Sequence, residues 1–264
     1  MTPEQLRALL EQVAAEAVRC GELPGGAASG PPDGAIFRPT DTRAAGVVAD
    51  WVTPVAQRWA PRLGLGPRDL ARVLAQGLTL QKPVAAVEVA PSGLIAVTLD
   101  DAARSAIVAH VLEHQDDYAL GDAVTLPVCA EAPGSRGPGD PVLGAQLAHA
   151  RLCRLIRNAE AAGVERRDSA RVEHLTHVVE RHLLVALADL PQRLDTHTGD
   201  AAQQRRAVTD LADLADGWDH PLRPAVVDEP VRSVHAARLL LADAVRVVLR
   251  NGLARLGAPA PERM

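Results

Sequence analysis

Apolar side chains recur at intervals of three or four residues between Leu6 and Val18, which is the spacing of one face of an α-helix. Thr2 and Gln5 precede this run with the three-residue separation of a capping box, and Pro3 suits the first helical position. The pattern therefore predicts that the chain begins with an amphipathic helix.

A different pattern follows further along the first half of the chain. Two apolar runs at 84–90 and 94–99 are separated by a Pro-Ser-Gly turn sequence, which predicts a β-hairpin. An extended piece is expected at 35–38. Helices are expected at 43–60, from Pro67 to near Gly77, and from the capping residues Asp100 and Asp101 to about His114. Residues 1–118 are thus predicted to form an α+β domain with a small antiparallel sheet and packed helices.

Periodicity is lost between Gln115 and Asp140, where proline and glycine cluster. We interpret 119–139 as a linker. Beyond it the patterns are helical throughout, with segments predicted near 141–162, 168–189, 201–219 and 230–256. The predicted architecture is an α+β N-terminal domain followed by an all-α helical bundle over 140–264.

The composition narrows the class of protein. Hydrophobic residues make up 47% of the 264 residues and charged residues 23%, as in a globular protein. The longest uncharged run, 89–99, is much shorter than the ~20 residues of a membrane-spanning helix. No leader sequence is apparent, so we expect a cytoplasmic protein with no membrane association. The three cysteines are scattered without a C-x-x-C pair, which argues against a disulfide framework or a cysteine zinc site.

Few residues offer enzymatic chemistry. Lys82 is the only lysine and Pro83 follows it, so no Walker A loop exists. His110, Glu113 and His114 fit the H-x-x-E-H zinc-peptidase pattern, but the linker that follows gives poor support for the third ligand and closed chamber that such an enzyme needs. We consider a zinc hydrolase the weakest alternative. We expect no catalytic residues, no metal and no cofactor.

Arginine accounts for all basic residues except Lys82, and two helices carry it in stripes. Arg151, Arg154 and Arg157 lie opposite an apolar helix face, and Arg246 and Arg250 share the outer side of the last helix. Such stripes bind phosphates in nucleic-acid-binding proteins. They also occur as solvated helix faces, and charge alone leaves both readings open. Aromatic residues are only 2% of the chain, so stacking on bases has few platforms.

One motif is more specific. Gln146 is followed by Leu147-Ala148-His149-Ala150-Arg151, which resembles the Q-Y-A-H-A-R stretch that opens the anticodon-binding domain of arginyl-tRNA synthetases. The chain's last residues, Ala260-Pro261-Glu262-Arg263-Met264, are similar to the A-P-E-R-M terminus of that domain. The resemblance to this DALR-type domain covers 140–264. Residues 1–118 resemble, more loosely, the N-terminal additional domain of the same enzymes.

The resemblance also shows what is missing. A synthetase carries its catalytic domain between these two modules, where this chain has only the 119–139 linker. No histidine is followed by x-G-H, and one lysine cannot supply a K-M-S-K-S motif. The chain looks like a synthetase-related protein without the catalytic domain, of the kind found in actinobacteria. It also departs from the family in having Leu147 for tyrosine, a single Trp218 followed by Asp219, and a changed stretch at 46–51.

The resemblance implies a non-catalytic tRNA-binding protein that docks on an anticodon stem-loop, with arginine tRNA as the expected ligand and no DNA binding. The expected tRNA-binding residues are His149, Arg151, Arg154, Arg157, Trp218, Arg246, Arg250, Arg263 and Met264. Three of these have a structural alternative: His149 as a packing residue, Met264 as an apolar tail and Trp218 as core. The alternative function is a scaffold that partners a synthetase or another enzyme without binding RNA.

Overall fold

The computed structural model describes residues 1–40, 49–120, 140–166, 171–224 and 230–264. These residues divide into two compact units, Met1–Arg104 and Ser105–Met264. Apart from Ala119 and Leu120, the predicted linker lies outside the described residues, and the predicted domain limits stay predictions. The described part of the chain contains no helix that is both long and apolar enough to span a bilayer.

The first unit combines helices with one antiparallel sheet. Its helices are α1 (Pro3–Arg19), α2 (Val55–Leu63) and α3 (Pro67–Thr79), and α4 (Asp101–His114) begins in it. Its strands are β1 (Arg38–Pro39), β2 (Trp51–Thr53), β3 (Val84–Val89) and β4 (Ile95–Leu99), in the order β1-β2-β4-β3. All neighbouring strands are antiparallel.

Several local predictions are confirmed. Both hydrogen bonds of the Thr2–Gln5 capping box are present at the start of α1. The predicted hairpin forms from β3 and β4, and Gly93 in its turn has a φ of +84°. A Cβ at this position would lie 2.9 Å from the Pro67 carbonyl oxygen, so the turn needs glycine for its backbone angle and for close approach to α3.

The predicted helix at 43–60 is wrong over Trp51–Thr53, which form the strand β2. Residues 41–48 lie outside the described ranges, and helix begins only at Val55. β2 is buried along its whole length because it lies between β1 and β4, with Val52 opposite Ala96. The strand therefore depends on partners distant in sequence, while its three residues are too few to show a period-two pattern.

The second unit is a helical bundle. After the end of α4 come α5 (Pro141–Ala161), α6 (Val178–Thr196), α7 (Ala201–Asp216) and α8 (Ser233–Arg255). α5 packs against both α7 and α8, and α6 packs against α7. An α+β part followed by an all-α bundle confirms the predicted fold class.

The helix predicted near 168–189 starts and ends earlier than α6, which spans Val178–Thr196. The structure has a 3-10 turn at Val172–His174, and α6 begins only after His177. The ring of His177 accepts a hydrogen bond from the Val179 amide, and the Glu180 side chain accepts one from the His177 amide. This reciprocal cap fixes the start of the helix. Pro191 is accommodated inside α6, whereas a proline in a sequence pattern suggests an end.

Candidate nucleic-acid interface

Helix α5 presents three different surfaces. Leu152, Ile156 and Ala159 are buried, as expected for the face that packs on α7 and α8. At 3.6 residues per turn, Gln146, His149 and Arg157 share a second stripe. A third stripe contains Arg151, Leu155 and Asn158, with Leu147 and Arg154 between the second stripe and the third.

The second stripe binds the residues that follow α8, Ala258–Met264, which we call the 258–264 segment. Gln146 donates to the Pro259 carbonyl at 2.8 Å, and the His149 Nδ1 lies 2.9 Å from the Pro261 carbonyl oxygen. Arg157 donates to the Glu262 carbonyl at 3.4 Å. Three side chains of one helix thus hold three backbone carbonyls of the segment.

His149 is almost completely buried, with 1% of its surface exposed. A carbonyl oxygen only accepts, so Nδ1 carries the proton of this hydrogen bond. Burial lowers the pKa of His149, an effect that the Pro261 carbonyl opposes and that Arg246 and Arg250 reinforce. His149 therefore lies in the interior as a neutral ring, and any part it has in ligand binding is indirect.

The third stripe forms one wall of a cavity of about 230 Å³. The other wall comes from the chain that follows α7. The lining consists of Arg151, Leu155, Asn158, Trp218, Asp219, His220, Pro221, Leu222, Arg223 and Pro224. This volume is below the ~300–1,000 Å³ of typical ligand pockets, so the cavity suits a single planar ring better than a larger molecule.

Arg151 builds the cavity as well as lining it. Its guanidinium donates to the carbonyls of Ala215 at 2.9 Å and Trp218 at 3.0 Å. Ala215 lies in the last turn of α7, where carbonyls lack partners within the helix and the helix dipole favours a cation. Asp216 is 3.9 Å away and largely exposed, which makes that ion pair weak.

Two ring nitrogens of the lining have no hydrogen-bond partner in the described part of the chain. They are the Nε1 of Trp218 and the Nε2 of His220, and both atoms are buried. The His220 ring meets the ring of His177 edge to face, with centroids 4.0 Å apart. A buried polar atom without a partner costs on the order of 1–3 kcal/mol, so two residues of the lining each carry an unsatisfied ring nitrogen in the described fold.

Between the 258–264 segment and the cavity lies a strip of open surface. Leu147 is 50% exposed. Arg154 is also exposed and forms no hydrogen bond or ion pair with another described residue. At the end of the 258–264 segment Arg263 is exposed and Met264 is 63% exposed. An unpaired arginine flanked by a cavity and a projecting segment is an arrangement that a phosphate backbone can occupy.

The remaining predicted arginines have acidic neighbours. Arg157 lies 3.8 Å from the Glu262 carboxylate, and Arg246 binds Asp243 at 2.7 Å. Arg250 binds Asp116. These three cations are partly neutralised, so the predicted arginines that are exposed and without a partner among the described residues are Arg154 in the α5 stripe and Arg263 in the 258–264 segment.

Sequence reasoning missed part of the cavity. Asn158, His220 and Arg223 line it together with Arg151 and Trp218, which were predicted. No local motif marks the three, because α5 and the chain after α7 meet only in the folded bundle. Trp218 itself is 1% exposed, so it forms a wall of the cavity and offers no exposed stacking surface.

The H-x-x-E-H residues lie elsewhere on the bundle. The rings of His110 and His114 are 4.2 Å apart, and the His114 Nδ1 lies 2.8 Å from the His110 carbonyl oxygen. Within the residues that the structure describes, no group of three or more histidine, cysteine or acidic side chains is placed to hold a metal ion.

The helical bundle matches the model of a known protein family. The family model of the DALR anticodon binding domain matches residues 145–264, which run from the second turn of α5 through α8 to the 258–264 segment. This part of the chain is therefore similar to DALR anticodon-binding domains. The cavity and the exposed strip both lie within the matched residues.

Curated relatives extend the similarity beyond the DALR domain. An arginine–tRNA ligase of Clavibacter sepedonicus is 39% identical over 135 residues, which are 50% of this chain and 24% of the relative. One of Kineococcus radiotolerans is 37% identical over 169 residues, 62% of this chain and 28% of the relative. One of Frankia alni is 34% identical over 208 residues, 74% of this chain and 36% of the relative. The chain thus spans about a quarter to a third of the length of these relatives.

Proposed function

We propose that this protein binds tRNA without catalysing aminoacylation, and that its DALR domain receives the anticodon stem-loop. The observation that carries the proposal is the surface of α5, where unpaired Arg154 lies between a donor-lined cavity and the 258–264 segment. We take arginine tRNA as the ligand because the relatives are named arginine–tRNA ligases. The proposed compartment is the cytoplasm.

In this proposal Arg154 and Arg263 contact backbone phosphates. Both are exposed and neither has a partner among the described residues. Phosphate contacts set the register of the RNA but carry no sequence information. They also make affinity depend on salt, because each neutralised phosphate releases counterions.

In this proposal the cavity recognises a base of the RNA. Loop bases of RNA are unstacked and bind in pockets through their edges. Arg151, Trp218 and Arg223 line the cavity and carry N–H groups, and the buried Trp218 Nε1 has no partner in the described chain. We infer that the cavity receives one base by an edge that presents acceptor atoms.

The absence of catalysis is inferred from the sequence. The similarity covers only part of each ligase, and the chain has neither an H-x-G-H motif nor the lysines of a K-M-S-K-S motif. A pyrophosphate-exchange assay with arginine and ATP tests this part separately. Exchange above the background of a protein-free reaction would contradict it.

Filter binding of labelled anticodon stem-loops to the full chain tests the binding proposal. We expect Arg154→Ala to lower affinity about fivefold and to reduce the salt slope by about 1. Arg206→Ala is the matched control, because Arg206 is also exposed and unpaired among described residues but lies ten residues before the end of α7, ~15 Å along the axis. No binding by the wild type at ~50 mM salt, or equal losses for both variants, would refute the proposal.

One observation favours the scaffold alternative. The chain has a formal net charge of −5, and Arg246 and Arg250 are paired with carboxylates. Size-exclusion chromatography with purified arginine–tRNA ligase, after nuclease treatment, distinguishes the two functions. A stable complex that contains no RNA supports the scaffold, whereas tRNA binding with no such complex supports the first proposal.

A further inference from the structure

The 258–264 segment has little structure of its own. Gly257 has a φ of +69° and ends α8, with its amide bonded to Ala254 and the Ala258 amide bonded to Leu253. This is a Schellman cap, which turns the chain sharply away from the helix. Pro259 and Pro261 have no amide hydrogen, so they cannot add backbone donors to hold the segment.

The segment is therefore fixed from outside, by side chains of α5. Gln146, His149 and Arg157 each bond one of its carbonyls, and His149 is the central and most deeply buried of the three. Arg157 is 41% exposed and its bond is long, so it contributes the least. The partly buried hydrogen bonds of Gln146 and His149 are therefore the main polar contacts that hold the segment.

A buried imidazole in this position is not explained by packing alone. The ring lies beside the Cys153 thiol at 3.9 Å and has the Pro261 carbonyl as its partner at 2.9 Å. An apolar side chain would fill the same space without the cost of burying a polar ring. What the imidazole adds is a directed bond to the backbone two residues before Arg263.

We propose that His149 is a positioning residue, which holds the 258–264 segment so that Arg263 and Met264 form one wall of the tRNA interface. This inference rests on the proposed function. His149 does not touch RNA in this arrangement. It determines where two exposed residues lie, and its effect on binding passes through them.

The chemical shift of the Met264 methyl group reports on the surroundings of the segment. Its signal can be assigned because Met1 and Met264 are the only methionines in the sequence. In wild type labelled with methyl-¹³C methionine, the Met264 signal should shift when anticodon stem-loop is added. His149→Ala should move it toward the sharp signal of a free side chain before RNA is added. His149→Asn places an amide donor near the position of Nδ1, and should keep the wild-type signal. A Met264 signal that is the same in His149→Ala and wild type overturns the proposal.

Binding measurements form the second arm. His149→Ala should weaken stem-loop binding about fivefold, Arg263→Ala with Met264→Ala should do the same, and the combination should lose no more than either alone. Arg154→Ala, combined with His149→Ala or with the Arg263→Ala/Met264→Ala variant, should weaken binding by a further factor of about five. His149→Asn should restore affinity, which a general loss of stability would not produce.

The outcomes separate the two proposals. Wild type that binds no RNA refutes the proposed function, and this inference fails with it. Wild type that binds, with His149→Ala unaffected or with additive losses in the combined variant, refutes the positioning role alone. Thermal unfolding of every variant identifies any change that only destabilises the bundle, and failure of His149→Asn to rescue a folded His149→Ala also counts against the proposal.

Discussion

The guanidinium of Arg151 on α5 donates to the backbone carbonyl of Trp218 at 3.0 Å, although 67 residues separate them. The side chain that lines the cavity thus also fixes the residue that forms its opposite wall. Position 151 is therefore sensitive to the shape of the side chain as well as to its charge.

Replacing Arg151 by lysine should separate these two properties. Lysine keeps the charge but has no planar fork to reach both the Ala215 and the Trp218 carbonyl. We expect a loss of about 2 kcal/mol in the free energy of unfolding and a weaker stem-loop affinity. Urea unfolding and filter binding measure these. Arg154→Lys, at an unpaired position of the same helix, should change stability by less than about 0.5 kcal/mol. Equal effects at the two positions would contradict this account.

Stability should depend on pH through His149. Burial lowers its pKa below the ordinary value of 6.5, so the unfolded chain takes up a proton at higher pH than the folded chain. The stability that the neutral His149 ring contributes is fully present above about pH 6.5 and is lost as pH falls through the pKa of the folded protein. The free energy of unfolding then falls by at most ~1.4 kcal/mol per pH unit. Thermal unfolding between about pH 7.5 and 5.5 should show a steeper loss for wild type than for His149→Asn.

The comparison with His149→Asn is necessary because the pKa of His110 is also lowered, by burial and by His114. His110 is present in both proteins, so its effect cancels in the difference. Parallel curves for the two proteins would show that His149 does not titrate as proposed.

Arg246→Ala should have little effect on RNA affinity. Its guanidinium makes two bonds to Asp243, at 2.7 and 2.9 Å, and Asp243 also accepts from Arg166 at 2.6 Å. An arginine already paired with a buried carboxylate has little charge left for phosphate. We expect less than a twofold change in the dissociation constant, against about fivefold for Arg154→Ala. A larger loss of affinity for Arg246→Ala than for Arg154→Ala would indicate that RNA binds at α8.

The first unit offers a test of its buried ion pair. Asp50 accepts from Arg104 at 2.8 and 3.0 Å and from the Leu99 amide at 2.8 Å, and both charged side chains are 3% exposed. Removing one partner of such a pair costs ~3–5 kcal/mol, because the other charge stays buried. Asp50→Ala should therefore destabilise this unit strongly in hydrogen exchange of β4. Asp101→Ala, which removes a 53% exposed partner of the same arginine, should cost less than about 1 kcal/mol.

Local signals predicted local structure well. The Thr2–Gln5 cap, the Gly93 turn and the helix after Asp100 depend on residues within a few positions of one another, and all three are present. The strand β2 was missed because its formation depends on pairing with β4, more than 40 residues later. The motif at 146–151 located α5 correctly, but gave no sign that Gln146 and His149 face the 258–264 segment.

The charges of the interface were harder to predict than its position. Arg246 and Arg250 look alike in sequence, on the outer side of α8. Their partners, however, come from Asp243 one turn earlier and from Asp116, 134 residues away. Which arginines stay unpaired is a property of the folded bundle, and no helical pattern contains it.

The hydrogen bonds from α5 to the 258–264 segment are accepted by backbone carbonyl oxygens, which every amino acid possesses. Side chains at 260 and 262–264 are consequently free to vary while the attachment stays in place. A library randomised at these four positions, with Gln146 and His149 untouched, should yield folded proteins that differ in their affinity for RNA. The bundle would then be a constant support for an RNA-contacting segment whose side chains can be exchanged.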